Sequence, residues 1–311
     1  MIGDEQPKDV PPLVAVVGAT AAGKSDMAVE LARSIGGEVI NADSMQLYRG
    51  MDIGTAKLPL EARRGVPHHL LDVLDVGEPA TVAEFQGWAR EAISDCRRRG
   101  VAPVVVGGSA LYLRAVLDEF EFPGTDPDIR ARLEDELAMR GSERLHDRLR
   151  TVDATAAATI LPGNGRRIVR ALEVVELTGK PFRATLPQHV YAFGHVVQIG
   201  LDIPADVLDA RIADRVARMW RAGFVDEVRR LERAGLREGR TASRALGYRQ
   251  VLAMLAGDID EETARNETVR ATRRFARRQA TWFRRDHRIT WLPHDASDRW
   301  ERALHAVRST A

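Results

Sequence analysis

Apolar residues along this chain are spaced in two ways, and the two alternate. Short continuous apolar runs fall at 13–17, 38–43, 103–109, 196–201 and 289–292, each the length of a buried strand. Between them lie longer segments with apolar residues three and four positions apart, as at Met27, Leu31 and Ile35, and these predict helices. Helices are expected at 81–99, 205–222, 261–285 and 297–308, with shorter ones opening at Leu111 and near Ser243. Continuous rather than alternating apolar strands separated by helices indicate a parallel sheet covered on both faces. From Pro127 to Gly179 the pattern is purely helical, at 128–140, 143–149, 154–160 and 166–178, with breaks at Gly141, Asp153 and Pro162-Gly163. The fold class expected is therefore α/β: a core with a parallel sheet flanked by helices, interrupted by an all-helical insertion. Boundaries are placed at 1–122 for the first part of the core, 123–187 for the insertion and 188–311 for the second part.

The first strand runs directly into Gly18-Ala19-Thr20-Ala21-Ala22-Gly23-Lys24-Ser25, a G-x-x-x-x-G-K-[ST] phosphate-binding loop in its required strand-to-helix context. Its glycines let backbone N–H groups curl around an anion, and the following helix directs its positive end there. Lys24 adds a charge, and the Ser25 hydroxyl is a candidate Mg²⁺ ligand. Asp43 closes the second strand at the rim where ligands of parallel sheets bind, so it is a candidate base, with a turn or helix cap as the alternative. The strand at 103–109 ends in Gly107-Gly108-Ser109 and lacks the aspartate that a P-loop ATPase often uses for Mg²⁺. The glycines admit either a closely approaching ligand or simply a tight turn. In the helix at 205–222, Arg215 projects from the edge of the stripe formed by Leu208, Ile212, Val216 and Met219, and needs a carboxylate or an anionic ligand there.

Composition narrows the setting. The 311 residues are 44% hydrophobic and carry one cysteine, Cys96, which excludes an internal disulfide, a thiolate zinc cluster or a C-x-x-C pair and fits a reducing cytoplasm. His68-His69 are read as loop residues without a metal, and Cys96 as an ordinary helix residue. The polar, proline-rich start reads as a disordered lead-in rather than a signal peptide, and no apolar run reaches membrane-spanning length. Net charge is only +1, yet residues 265–288 hold nine arginines against Glu267 and Asp286. Arg270, Arg274, Arg277, Arg278 and Arg285 are expected along one helix face, a pattern suited to a phosphate backbone and also to a solvated surface.

Taken together, the P-loop, Asp43-Ser44-Met45-Gln46-Leu47-Tyr48, the segment 50–57, Pro67-His68-His69-Leu70-Leu71-Asp72, 106–112, Arg170-Ala171-Leu172-Glu173-Val174 and Leu246-Gly247-Tyr248-Arg249-Gln250 resemble the tRNA dimethylallyltransferases over residues 13 to 292. Alanines stand at 19 and 22 where that family usually has proline and serine, and serines at 25 and 109 where it has threonine; the hydroxyls survive. The resemblance implies a Mg²⁺-assisted transfer of the dimethylallyl group of dimethylallyl diphosphate to the exocyclic N6 amine of the adenosine just 3′ of the anticodon, by a cytoplasmic monomer. It implies catalytic roles for Asp43, Ser109 and Arg215, and a diphosphate or nucleotide such as ATP on residues 18–25. It also implies contacts to the tRNA anticodon stem-loop at Asp43, Ser44, Met45, Gln46, Arg130, Arg166, Arg167, Ile168, Val169, Arg170, Arg244, Gly247, Tyr248, Arg249, Arg274 and Arg278. Two other classes share parts of the pattern. A P-loop small-molecule or nucleotide kinase does not require the arginine ridge, and a non-catalytic RNA-binding ATPase does not call for Asp43, Ser109 and Arg215 around one phosphate site. The D-D-x-x-D motif of chain-elongating prenyl synthases is absent.

Overall fold

A computed structural model describes residues 10–182 and 189–309. The start of the chain through residue 9 and the boundary expected at 187/188 lie outside them. The larger compact unit comprises residues 1–118 and 191–311, and the smaller one residues 119–190.

In the larger unit six strands form one parallel sheet: β1 (Leu13–Val17), β2 (Gly37–Asn41), β3 (His68–His69), β4 (Ala102–Gly107), β5 (Val196–Asp202) and β6 (Ile289–Pro293), in the order β3-β2-β4-β1-β5-β6. β1 is buried along its whole length between β4 and β5, which is why it contains no polar side chain. Helix α1 (Lys24–Ile35) packs on one face of the sheet through Met27, Ala28 and Leu31. Helix α2 (Val82–Arg98) starts where Thr81 caps it by accepting from the Glu84 N–H, and it covers the other face with Phe85, Ala89 and Ile93. Helix α3 (Ala110–Leu117) follows β4 directly.

The register brings three loops together. Val17 pairs with Gly107 and Asn41 with Val106, so the carboxyl ends of β2, β4 and β1 lie side by side and the turns after them share one rim. A Cβ on Gly107 would stand 2.5 Å from the Ala42 carbonyl, and one on Gly108 would stand 2.4 Å from the Gln279 Nε2 atom. Tight packing of protein on protein accounts for this glycine pair, and of the two readings left open above the turn prevails over ligand approach.

The smaller unit contains α4 (Pro127–Val152), α5 (Ala154–Thr159) and α6 (Gly165–Thr178) around Leu133, Leu145, Leu149, Ile168 and Leu172. Gly141, at φ 78° and ψ 163°, breaks the geometry of α4 where the sequence predicts an interruption. Beyond β5 the larger unit adds α7 (Ala205–Arg221), α8 (Phe224–Arg233), α9 (Tyr248–Leu255), α10 (Glu261–Phe283) and α11 (Arg299–Arg308). Among the described residues no helix is long and apolar enough to cross a membrane.

His68-His69 departs from the loop expectation by pairing with Val39 and Ile40 as the edge strand β3. Two residues are too few for a periodic signal, so their strand character comes from the partner alone. The His69 Nε2 atom lies 2.7 Å from Glu38 Oε2, and Cys96 Sγ lies 3.5 Å from the same oxygen. The Arg99 guanidinium grips both Glu38 oxygens at 2.8 and 2.6 Å and holds that carboxyl down at about 2, so a cation already occupies the cluster.

Candidate active site

The phosphate-binding loop needs three residues with positive φ: Gly18 at 135°, Ala21 at 63° and Gly23 at 101°. Glycine meets this at two of them, and Ala21 carries the strain of the third. Ala19 and Ala22 are buried, Ala19 against Leu208, Ile212 and Ala276, so the small side chains at these positions belong to the core. The loop is also held from a distance: Gln279 on α10 accepts from the Thr20 N–H at 2.9 Å and donates to the Gly108 carbonyl at 2.7 Å. The Thr20 N–H is therefore engaged by protein, as is that of Ala22, which donates to Ala19. Two of the eight residues expected to form the anion cradle thus have their N–H groups engaged within the protein.

Lys24 donates to the Ala19 carbonyl at 2.7 Å. Burial, and next the nearby Arg215 charge, push its ammonium down to about 8, against a smaller opposing pull from Asp43. Only the protonated form attracts a phosphate, so kcat/KM for the anionic substrate is expected to be flat below pH 8 and to fall about tenfold per unit above it. A pH profile of kcat/KM checks this.

Asp43 lies two residues beyond β2. Its Oδ1 accepts from the Met45 N–H at 3.0 Å, a local turn, while Asn41 clamps its backbone by accepting from the Asp43 N–H and donating to the Asp43 carbonyl. One carboxylate oxygen thus meets the turn reading of this residue, and Asp43 also lines a cavity of about 290 Å³. That cavity collects Thr20, Ser44, Met45, Ser109, Arg215, Arg244, Gly247 and Tyr248 as well. Ser109 is the N-cap of α3 but makes no capping bond with its side chain, so its hydroxyl is available to the cavity. The remaining walls are largely apolar, from Ile212, Val216, Met219, Phe224 and Phe275.

A second, more polar cavity of about 1060 Å³ lies on the P-loop side and is lined by Gly23, Lys24, Ser25, Asp26 and Lys57. Arg215 and Met219 line both. The Arg215 guanidinium donates to the Thr55 carbonyl at 3.1 Å, and burial lowers its pKa against the opposing attraction of Asp43. Among the described residues it has no bonded carboxylate, and a partly desolvated guanidinium beside a phosphate loop is suited to an anion.

The sequence reading missed two supports of this arrangement. Glu227 on α8 is buried, accepts from the N–H groups of Asp52, Ile53 and Gly54 at 3.1, 2.7 and 3.1 Å, and accepts from the Tyr248 hydroxyl at 2.6 Å. It fixes the loop that presents Thr55 to Arg215. Glu227→Ala is expected to lower stability by about 3–5 kcal/mol, since it strands several buried donors, which denaturant titration reads directly. Lys57 is the second: buried, it bonds the Tyr48 carbonyl, Asp52 and Asp72.

Several residues expected to touch RNA are placed otherwise. Tyr248 is wholly buried and its hydroxyl is taken by Glu227, so it serves as a wall; Gln46 donates to the Thr55 carbonyl. Within the smaller unit Ile168 and Val169 lie in the core. Arg130 and Arg170 both grip buried Glu173, whose carboxyl they hold below its usual range although burial alone would raise it. Both thus have an acidic partner within the unit, while Arg166 and Arg167 remain exposed, as does Arg249 in the larger unit. On α10 the ridge is narrower than expected: Arg277 pairs with Asp209 at 2.7 Å, and Arg285 lies just past the helix end. Of the nine arginines between 265 and 288, Arg273, Arg277, Arg284 and Arg288 are paired, while Arg265, Arg270, Arg274, Arg278 and Arg285 are exposed and have no acidic partner among the described residues.

The parallel sheet and its phosphate loop, opening onto a second cavity that ends in a carboxylate, define a P-loop α/β transferase. The family described as IPP transferase matches residues 46–286, and that described as isopentenyl transferase matches residues 11–64. The tRNA dimethylallyltransferase of Thermobifida fusca is 63% identical over 300 residues, covering 95% of this chain and 94% of its own. That of Streptomyces coelicolor is 63% identical over 291 residues, covering 94% and 93%. Among solved structures, the tRNA isopentenylpyrophosphate transferase of Bacillus halodurans superimposes with a TM-score of 0.70 at 40% identity, over 96% of this chain and 97% of its own. A eukaryotic dimethylallyltransferase acting on tRNA gives 0.82 at 26% identity, over 95% and 77%. The chain belongs to the tRNA dimethylallyltransferase family.

Proposed function

We propose that this chain transfers the dimethylallyl group from dimethylallyl diphosphate to the N6 amine of the adenosine immediately 3′ of the tRNA anticodon, releasing diphosphate. One observation supports this above the others: a polar phosphate cavity and an apolar cavity bearing Asp43 and Ser109 share Arg215 and Met219. The diphosphate rests on the N–H groups of Ala21 and Gly23–Ser25, on Lys24 and on Arg215. The flipped adenine enters the apolar side, since a base within a stack cannot reach such a cavity. As the C–O bond breaks, its electron pair leaves with diphosphate, where Lys24 and Arg215 stabilise the growing charge. The N6 atom forms the new C–N bond, and Asp43 accepts the proton that the amine then loses. Ser109 is positioned to hydrogen-bond the leaving group or the base.

Mg²⁺ fits this site by donor chemistry. Ser25 offers a hard hydroxyl oxygen in a cavity that also holds Asp26, Asp52 and Asp72 and, among the described residues, no thiolate or imidazole ligand, which suits a cation that keeps waters and binds phosphate oxygens. It would supply charge neutralisation of the diphosphate. The protein works in this reading as a cytoplasmic monomer.

The unpaired arginines of α10 carry the RNA backbone. Arg274→Glu with Arg278→Glu is expected to raise KM for tRNA and to shrink the salt slope of binding by roughly one unit per lost phosphate contact. Titrations of tRNA at several salt concentrations measure it, and an unchanged slope returns the two residues to ordinary surface. The proposed reaction itself is tested by diphosphate release from dimethylallyl diphosphate, which should require tRNA. Transfer from γ-labelled ATP to a nucleotide or small-molecule acceptor, without such release, would identify a kinase.

A further inference from the structure

Trp282 on α10 is 37% exposed, an unusual position for a large indole. It is not isolated. At 100° per residue Phe275, Arg278 and Trp282 fall on one strip of α10, with Arg274 along its outer edge and Arg285 just past the helix end. Phe275 begins the strip as a wall of the cavity that contains Asp43 and Ser109. The Arg278 guanidinium lies over the Phe275 ring, 5.9 Å from its centroid. Gln279, on the buried side of the strip, ties this stretch of the helix to Gly108, beside Ser109. The strip therefore begins at the cavity and leads away from it along the helix, carrying two aromatic faces interleaved with unpaired cations.

An exposed aromatic face flanked by cations matches single-stranded nucleotides, whose bases stack on any π surface while the backbone takes the positive charge. A protein partner of ordinary composition would not call for unpaired arginines along the strip, so the charge favours a polyanion. We infer that the Phe275–Arg278–Trp282 strip is a stacking platform for an unpaired nucleotide next to the adenosine that enters the cavity, with Trp282 holding the base. This rests on the proposed reaction with tRNA and adds a recognition element to it. Flipping one base out of a loop deprives its neighbour of a stacking partner, and Trp282 replaces the lost contact. Trp282 is a positioning residue, because it lies outside the cavity and touches no reacting atom.

The test is steady-state kinetics of the full chain with an unmodified tRNA anticodon stem-loop and dimethylallyl diphosphate. Trp282→Ala is expected to raise KM for the RNA by about five- to fiftyfold, with kcat at saturating RNA within about twofold of the parent. Trp282→Phe should recover most of the loss, since the ring face is retained. The salt slope of RNA binding should be unchanged in Trp282→Ala, because stacking releases no counterions, whereas Arg278→Glu should reduce it. In the parent, RNA should quench tryptophan fluorescence, and Trp282→Phe should lose most of that quenching although Trp88, Trp220, Trp291 and Trp300 remain. An unchanged KM in Trp282→Ala overturns the inference, as does a loss that follows a lowered thermal midpoint and is not recovered by phenylalanine. Either result would leave product formation by the parent intact, so failure of the platform is distinguishable from failure of the proposed reaction.

Discussion

Replacing Asp43 by alanine is expected to lower kcat by a hundred- to ten-thousand-fold while tRNA still binds, the range typical for loss of a general base. The prediction follows from position: the carboxylate lies two residues beyond β2 at the rim shared with the phosphate loop, lines the cavity proposed for the base, and lies close enough to Lys24 and Arg215 to shift both. Because Oδ1 also accepts from the Met45 N–H, alanine removes a turn contact together with the base. Asparagine separates the two roles. Asp43→Asn keeps an oxygen for the Met45 N–H but cannot take the proton of the attacking amine, so it should be nearly as slow as alanine. Single-turnover rates at saturating tRNA decide the matter. An asparagine variant at the parent rate makes Asp43 a turn residue and moves the base elsewhere.

Arg215→Ala is expected to cost about a hundred- to a thousandfold in kcat and to weaken use of dimethylallyl diphosphate as well. Arg215 lines both cavities, and in the larger unit its hydrogen bond goes to a carbonyl rather than to a carboxylate. Its charge is therefore free to act on the leaving diphosphate, in the ground state and more strongly as the C–O bond breaks. Arg215→Lys should recover only part of the loss, since a point charge lacks the planar fork that spans two oxygens. Initial rates against donor concentration, at saturating tRNA, give the two constants separately. A change confined to KM would make Arg215 a binding residue that contributes equally before and during the transfer.

What the sequence made legible was what local spacing encodes. The P-loop, the turns after β2 and β4 that carry Asp43 and Ser109, the apolar helix stripe from whose edge Arg215 projects, and the helical insertion with its break at Gly141 all sit within a few residues of the signals that predict them. Gln279 and Glu227 were not legible, because each acts across a separation no window spans: 259 residues from Gln279 to Thr20 and 175 from Glu227 to Asp52. A glutamine inside an arginine-rich helix carries no mark of the carbonyl it will meet. The pairing of the arginines was hidden for the complementary reason. Arg130, Arg170 and Arg277 share their spacing with exposed neighbours, and only the packed structure shows that Glu173 and Asp209 have already claimed them. Tyr248 belongs with them, since the family resemblance implied an RNA contact there and only the structure shows its hydroxyl committed to Glu227. His68-His69 became a strand only through β2.

The central claim is that a diphosphate on the P-loop side and an adenine on the Asp43 side react where the two cavities meet at Arg215. Mass analysis of the nucleosides released from tRNA, after incubation with this protein, Mg²⁺ and dimethylallyl diphosphate, tests it most directly. The account predicts a dimethylallyl group on the N6 atom of the adenosine immediately 3′ of the anticodon and on no other nucleoside, with one diphosphate released per group transferred. Unmodified nucleosides from a protein that binds both substrates, or a dimethylallyl group on a different nucleoside, would contradict it.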